Sequence, residues 1–296
     1  MDAALNTITI SCHCGAARQT VTPRGDSDLF SGVTFCHCNT CRHATGLLCT
    51  SYVPIASHPP PSLAGLESYS ASPTSARYFC ATCGCHVFRA SRPSPSVSPE
   101  QCEWSVATGV IVDAPNLHTP PSKWKHQHIN DTKDGGLSAW LPNTGTISLA
   151  TSPAAASASS DTTLSASCHC TSVSLLITRP SPDPSANPSS GFPDLLLPYH
   201  SNPSATVSNP ADEKWYLRPV PSSQDNPAPQ QHHKYLAGTC ACASCRLTSG
   251  FEIQTWAFIP RRNISISILS ASSSSDNKDA KEKDTYQPLD LSLIHI

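Results

Sequence analysis

Cysteine constrains this chain more than any other residue type. Fifteen cysteines occur in 296 residues, and all but Cys49 and Cys102 fall in tight groups: Cys12 and Cys14; Cys36, Cys38 and Cys41; Cys80, Cys83 and Cys85; Cys168 and Cys170; Cys240, Cys242 and Cys245. Such groups become disulfides in an oxidising compartment and metal sites in a reducing one. The start, MDAALNTITI, lacks the basic and apolar regions of a secretory signal, and no stretch approaches the roughly 18 apolar residues of a membrane span. We therefore expect a soluble cytoplasmic or nuclear chain with no membrane partner, its thiols free to hold metal.

The groups recur in order. SCHCGAARQTVTPR at 11–24 is echoed by SCHCTSVSLLITRP at 167–180, and FCHCNTCRHATGLLCTSYVPI at 35–55 by TCACASCRLTSGFEIQTWAFI at 239–259. A repeat of this kind predicts two copies of one unit. The tract TSPAAASASSDTTLSAS has no hydrophobic period and suits a flexible linker. We place a first domain at 1–148, a linker at 149–166 and a second domain at 167–296. Cys170 and Cys240 lie about 70 residues apart, against about 20 between Cys14 and Cys36. The excess, about 180–232, contains PSPDPSANPSSGFP and PVPSSQDNPAPQ and is expected to be disordered or polyproline-like.

Charged residues make up 14% of the chain, well under the roughly 25% usual for soluble domains, and there are 28 prolines. Much of the chain should thus be loop. Its net charge of −2, with no Lys/Arg cluster interleaved with aromatics, disfavours a zinc-ribbon nucleic-acid binder. TITISCHC, TLSASCHC, CTSYVPI, QTWAFIP and SVATGVIV (105–112) have the β-branched character of strands. No long window keeps a 3.6-residue apolar period, so a mainly β fold with short helices at most is predicted.

A C-x-x-C turn brings two sulfurs to one zinc, and two cysteine pairs close a tetrahedron. Cys80 and Cys83 form such a pair, and Cys12 with Cys14 are its natural complement; four thiolates leave no open position and make a structural site. Cys36, Cys38 and Cys41 are a triplet, which leaves a fourth position for water or substrate and marks a catalytic or ligand-binding zinc. The alternative is a second structural site completed by His37, His43 or Cys85. Cys85 otherwise resembles Cys49 and Cys102, buried thiols of a core. His37, between two ligands, should point away from the metal, toward a neighbouring group or the surface. Gly46 suits the turn after the triplet.

The order CxC, C-H-C-x-x-C-R-x-x-x-G and R-x-F-C-x-x-C-G, at Cys12/Cys14, Cys36–Gly46 and Arg77–Gly84, resembles the glutathione-dependent formaldehyde-activating enzyme family, whose domain is shared with centromere protein V. The resemblance runs from residue 8 to about 142, and HQHINDTKDGGLSAWLP at 126–142 is similar to the closing segment of fungal members. It implies a β-tent fold of small stacked antiparallel sheets holding two zincs. Cys12, Cys14, Cys80 and Cys83 would be the structural ligands, and Cys36, Cys38 and Cys41 the catalytic ones. It also implies a carbon–sulfur lyase that adds glutathione, or another small thiol, to formaldehyde or a small aldehyde. Arg42 could then meet a glutathione carboxylate as a bidentate pair.

The second copy keeps Cys168, Cys170, Cys240, Cys242, Cys245, Arg246 and Gly250 but has no counterpart of FCATCGC. One zinc or fewer is expected there, in a domain that looks truncated and less stable than the first. The reading from a different class is a non-catalytic, zinc-stabilised glutathione-binding or scaffold module.

Overall fold

The computed structural model describes residues 7–24, 33–96, 101–114, 125–139, 141, 163–180, 220–221, 233–260, 263–269 and 286–288. Most of the Ser/Ala linker, nearly all of the Pro/Ser insertion and the last residues of the chain lie outside them. The protein is mainly β, as its cysteine-rich, β-branched segments predict. It divides into two compact units, one of residues 1–158 with 239–255, the other of residues 159–238 with 256–296. The segment 239–255, which the repeat places in the second copy, therefore packs with the first unit.

The first unit carries two sheets. In the smaller, β1 (Ile8–Ile10) pairs antiparallel with both β2 (Gln19–Val21) and β9 (Ile111–Asp113). The larger has seven strands in the order β10-β3-β4-β8-β7-β6-β5. Here β3 is Thr34–Cys36, β4 Thr50–Ile55, β5 Leu66–Ser72, β6 Ser75–Cys80, β7 His86–Ser91, β8 Glu103–Ala107 and β10 Lys125–Gln127. All its pairings are antiparallel except that of β10, which lies parallel to β3 on the edge. Backbone bonds from Ala56 N to Thr22 O (2.8 Å) and from Arg24 N to Pro54 O (2.9 Å) join the sheets.

Period-2 alternation puts Ile8 and Ile10 of β1 into the core. There they meet Val53, Ile55, Phe88, Val106 and Ile111, each no more than 2% exposed. The consecutive residues Val87 and Phe88 are both fully buried, so both faces of β7 are covered at that point. The predicted strand 105–112 is interrupted. Residues Thr108–Val110 form a 3-10 turn between β8 and β9, and the chain there passes from the large sheet to the small one.

In the second unit β11 (Thr163–Ser167), β12 (Val173–Thr178), β17 (Ile264–Ile268) and β18 (Gln287–Pro288) form one antiparallel sheet. β11 begins inside the segment expected to be linker. Two short pairs, β13 (Val220–Pro221) with β14 (His233–Lys234) and β15 (Ala237–Cys240) with β16 (Gln254–Ala257), complete the described strands.

Candidate metal centres

The turn after β1 is closed by a bond from Gly15 N to Cys12 O (3.1 Å), with Gly15 at φ 83°, so that Cys12 and Cys14 project to the same side. A second turn, between β6 and β7, is closed by Gly84 N to Cys80 O (2.9 Å) and Cys80 N to Cys85 O (2.8 Å), and presents Cys80 and Cys83. The four sulfurs lie within 4.8 Å of one another. Cys12 to Cys14 is 3.5 Å and Cys14 to Cys80 is 3.6 Å. A tetrahedron with zinc–sulfur bonds of about 2.3 Å has edges of about 3.8 Å, so the cluster fits a four-thiolate zinc with little movement. Burial raises the pKa of Cys80, but the backbone N–H groups of Cys83 and Thr82, together with the Cys14 and Cys12 thiols, outweigh it and bring the thiol down to about 7.

The triplet lies where β3 gives way to α1 (Asn39–Thr45). Cys38 is the N-cap, its sulfur accepting from Cys41 N at 3.3 Å, and Gly46 ends the helix at φ 72° with its N–H on Arg42 O. Capping thus points Cys36, Cys38 and Cys41 inward, with their sulfurs within 4.8 Å of one another. The Cys36 hydrogen bond, with help from the Arg77 charge, holds the Cys41 thiol at about 4, while that same bond and burial push Cys36 up. The knuckle thus favours a thiolate, the form that binds metal.

Two groups flank the triplet: Arg77, to which the sequence assigned no separate role, and His37. Arg77, 2% exposed, donates from Nη2 to Cys41 Sγ (3.1 Å) and from Nη1 to the Tyr52 hydroxyl (2.7 Å). It belongs to the R-x-F-C motif, and that membership was the available signal. His37, fully buried, contacts His126 Nδ1 through Nε2 at 2.9 Å. Burial, and then the neighbouring His126 and Arg42, hold the His37 imidazole at about 4. His37 therefore does point away from the sulfurs, but into the protein rather than to the surface. The histidine-containing strand before DTKDGGL supplies its partner.

Arg42 is tied into the fold: Nε donates to His37 O (3.0 Å) and Nη2 to Asp131 O (2.9 Å) and Asn39 Oδ1. Among the described residues, the grouped ligands include neither His43 nor Cys85. Cys85, Cys49 and Cys102 are buried in the core.

The third group is Cys240, Cys242 and Cys245, again within 4.8 Å of one another. Cys242 caps α2 (Ala243–Ser249), accepting from Cys245 N at 3.5 Å, and Gly250 ends it at φ 90°. Cys168 and Cys170 lie 3.4 Å apart on a turn like that of Cys12, with Thr171 at φ 60° where the first copy has glycine. Among the described residues, no second cysteine pair joins them.

A β domain whose two sheets are clasped by four thiols, with a separate thiol triplet, is a cysteine-rich domain whose clusters could each hold a metal ion. Residues 7–126 match the family described as glutathione-dependent formaldehyde-activating enzyme. The match spans the four-thiol cluster and the first triplet, but not Cys240, Cys242 and Cys245. No curated protein matches the chain. Among the described residues, no helix is long and apolar enough to cross a membrane.

Proposed function

We propose that the first unit is a zinc-dependent carbon–sulfur lyase or synthase acting on adducts of glutathione, or a similar small thiol, with formaldehyde or a small aldehyde. The observation that carries this reading is the triplet: three sulfurs converge on a point, and Arg77 provides a buried positive charge beside one of them. Cys36, Cys38 and Cys41 would hold the zinc, which when bound supplies Lewis acidity to lower a thiol's pKa or polarise an aldehyde oxygen. Cys12, Cys14, Cys80 and Cys83 would hold a structural zinc. In the reaction a sulfur–carbon bond forms as the carbonyl becomes a hydroxyl, and the thiol proton ends on that oxygen, so no oxidant is needed.

The chain's own contribution is placement. Arg77 fixes Cys41, and Arg42 ties the helix to the turn at Asp131. Holding both reactants replaces a bimolecular encounter by a local one. Because two Arg42 nitrogens are already bonded within the fold, a glutathione carboxylate would have to be met through Nη1. That engagement favours, as the second reading, a zinc-stabilised glutathione-binding or scaffold module.

Exchange NMR of glutathione with formaldehyde separates the two readings. The full chain should speed adduct formation beyond the spontaneous rate, and Cys38→Ser should abolish the increment while the circular dichroism spectrum is kept. A metal-loaded wild type that adds nothing to the spontaneous rate would leave the binding module.

A further inference from the structure

The turn Gly250–Phe251, which follows the second triplet, is seated on the first unit by backbone contact. Gly109 N donates to Gly250 O at 3.0 Å. A Cβ on Gly250 would lie 2.0 Å from His86 O, and one on Gly109 would lie 2.5 Å from the carbonyl carbon of Phe251. Gly46, the counterpart of Gly250 after the first triplet, has nothing within 4 Å of its Cβ position. Positive φ explains glycine at both positions, but only at Gly250 does close packing demand it as well.

The contact buries a side chain that matters. Phe251 is 1% exposed, its ring edge-on to Tyr52 (5.3 Å between centroids, 81°) and 5.7 Å from His86. Tyr52 in turn accepts from Arg77, which donates to Cys41. Phe251 is thus the apolar wall behind the polar network that reaches the first triplet.

A seven-residue helix has too few internal bonds to persist unaided. α2 carries its caps, Cys242 and Gly250, and across its first turn the three sulfurs of Cys240, Cys242 and Cys245. A metal bound there would join the end of β15, the cap and the first turn, and so fix the start of the segment that ends in Phe251.

We infer that the second triplet is a metal-dependent clasp: metal at Cys240, Cys242 and Cys245 holds α2 in shape, and α2 holds Phe251 as the wall behind Tyr52, Arg77 and Cys41. The second triplet then serves the first unit, whether or not the first triplet is catalytic.

Three full-length proteins test this by zinc counting in native mass spectrometry and by hydrogen exchange. Cys245→Ser should carry one zinc fewer than wild type and exchange about ten-fold faster at 108–110 and 250–253, the loss expected for one opened hydrogen-bonded contact. Gly250→Ala should keep the wild-type zinc count yet show the same faster exchange. In both, exchange at β5 and β6 should not change. Equal zinc counts in wild type and Cys245→Ser, unchanged exchange at 108–110 in either variant, or a loss of protection that spreads to β5 and β6 would each overturn the clasp.

Discussion

The guanidinium of Arg77 faces two acceptors, a thiol and a phenol, and its buried Nε has no hydrogen-bond partner among the described residues. Lysine would preserve the charge but cannot reach both acceptors from one planar fork. Arg77→Lys should therefore weaken zinc retention at the first triplet ten- to a hundred-fold, about the usual effect of losing a group that orients a ligand. Competition with a coloured chelator measures it, and retention at the four-thiol cluster should not change; equal loss at both would mean general unfolding. His86 supports a pH prediction. Burial, and secondarily Arg77, hold its imidazole at about 4, below the 6.5 of the unfolded chain. The folded state thus refuses a proton that the unfolded state accepts, so this stability is complete above pH 6.5 and drains away as pH falls toward 4. His86→Phe should flatten that part of the pH dependence of the urea midpoint. The grouping of the cysteines was legible at this scale because C-x-C and C-x-x-C bring sulfurs together along the chain. Tyr52 and His126 were not, since an isolated tyrosine or histidine carries no spacing signal and each acquires its role from a residue on another strand.

Glycine at φ 72° lets α1 end where it does, and any Cβ in that conformation is strained. Gly46→Ala should cost about 1 kcal/mol in urea unfolding with the zinc count unchanged, because the Cβ position itself is open. The second unit offers the converse. Thr171 is a β-branched residue at φ 60°, in the turn position that Gly15 occupies in the first copy. Thr171→Gly should stabilise that unit by about 1 kcal/mol, and no gain would mean that the turn has relaxed around the threonine. Strands beside the cysteines were legible from local composition, as β1 and β11 before them and β4 after them show. The break in 105–112 was not: Gly109 sits in a 3-10 turn pressed against Phe251, a contact between residues 142 positions apart that no local pattern encodes.

The two sheets of the first unit meet through few backbone bonds, and the four-thiol cluster spans them, with Cys12 and Cys14 beside β1 and Cys80 and Cys83 at the β6–β7 turn. Stripping zinc should accordingly undo the unit as a whole. Thermal melts followed by circular dichroism should lose their cooperative transition on chelation and regain it when zinc is restored; an unchanged melt would mean that the core suffices. The repeat predicts two copies, yet the segment 239–255 packs with the first unit, through contacts of Gly109, Gly250 and Phe251 that order along the chain does not give. Chain order matters in another way at the parallel edge, where Gln127 is in register with Cys36. During synthesis Cys36, Cys38 and Cys41 leave the ribosome well before β10 exists to flank them. The nascent knuckle must pass that interval with the side of His37 uncovered, until His126 arrives to contact it.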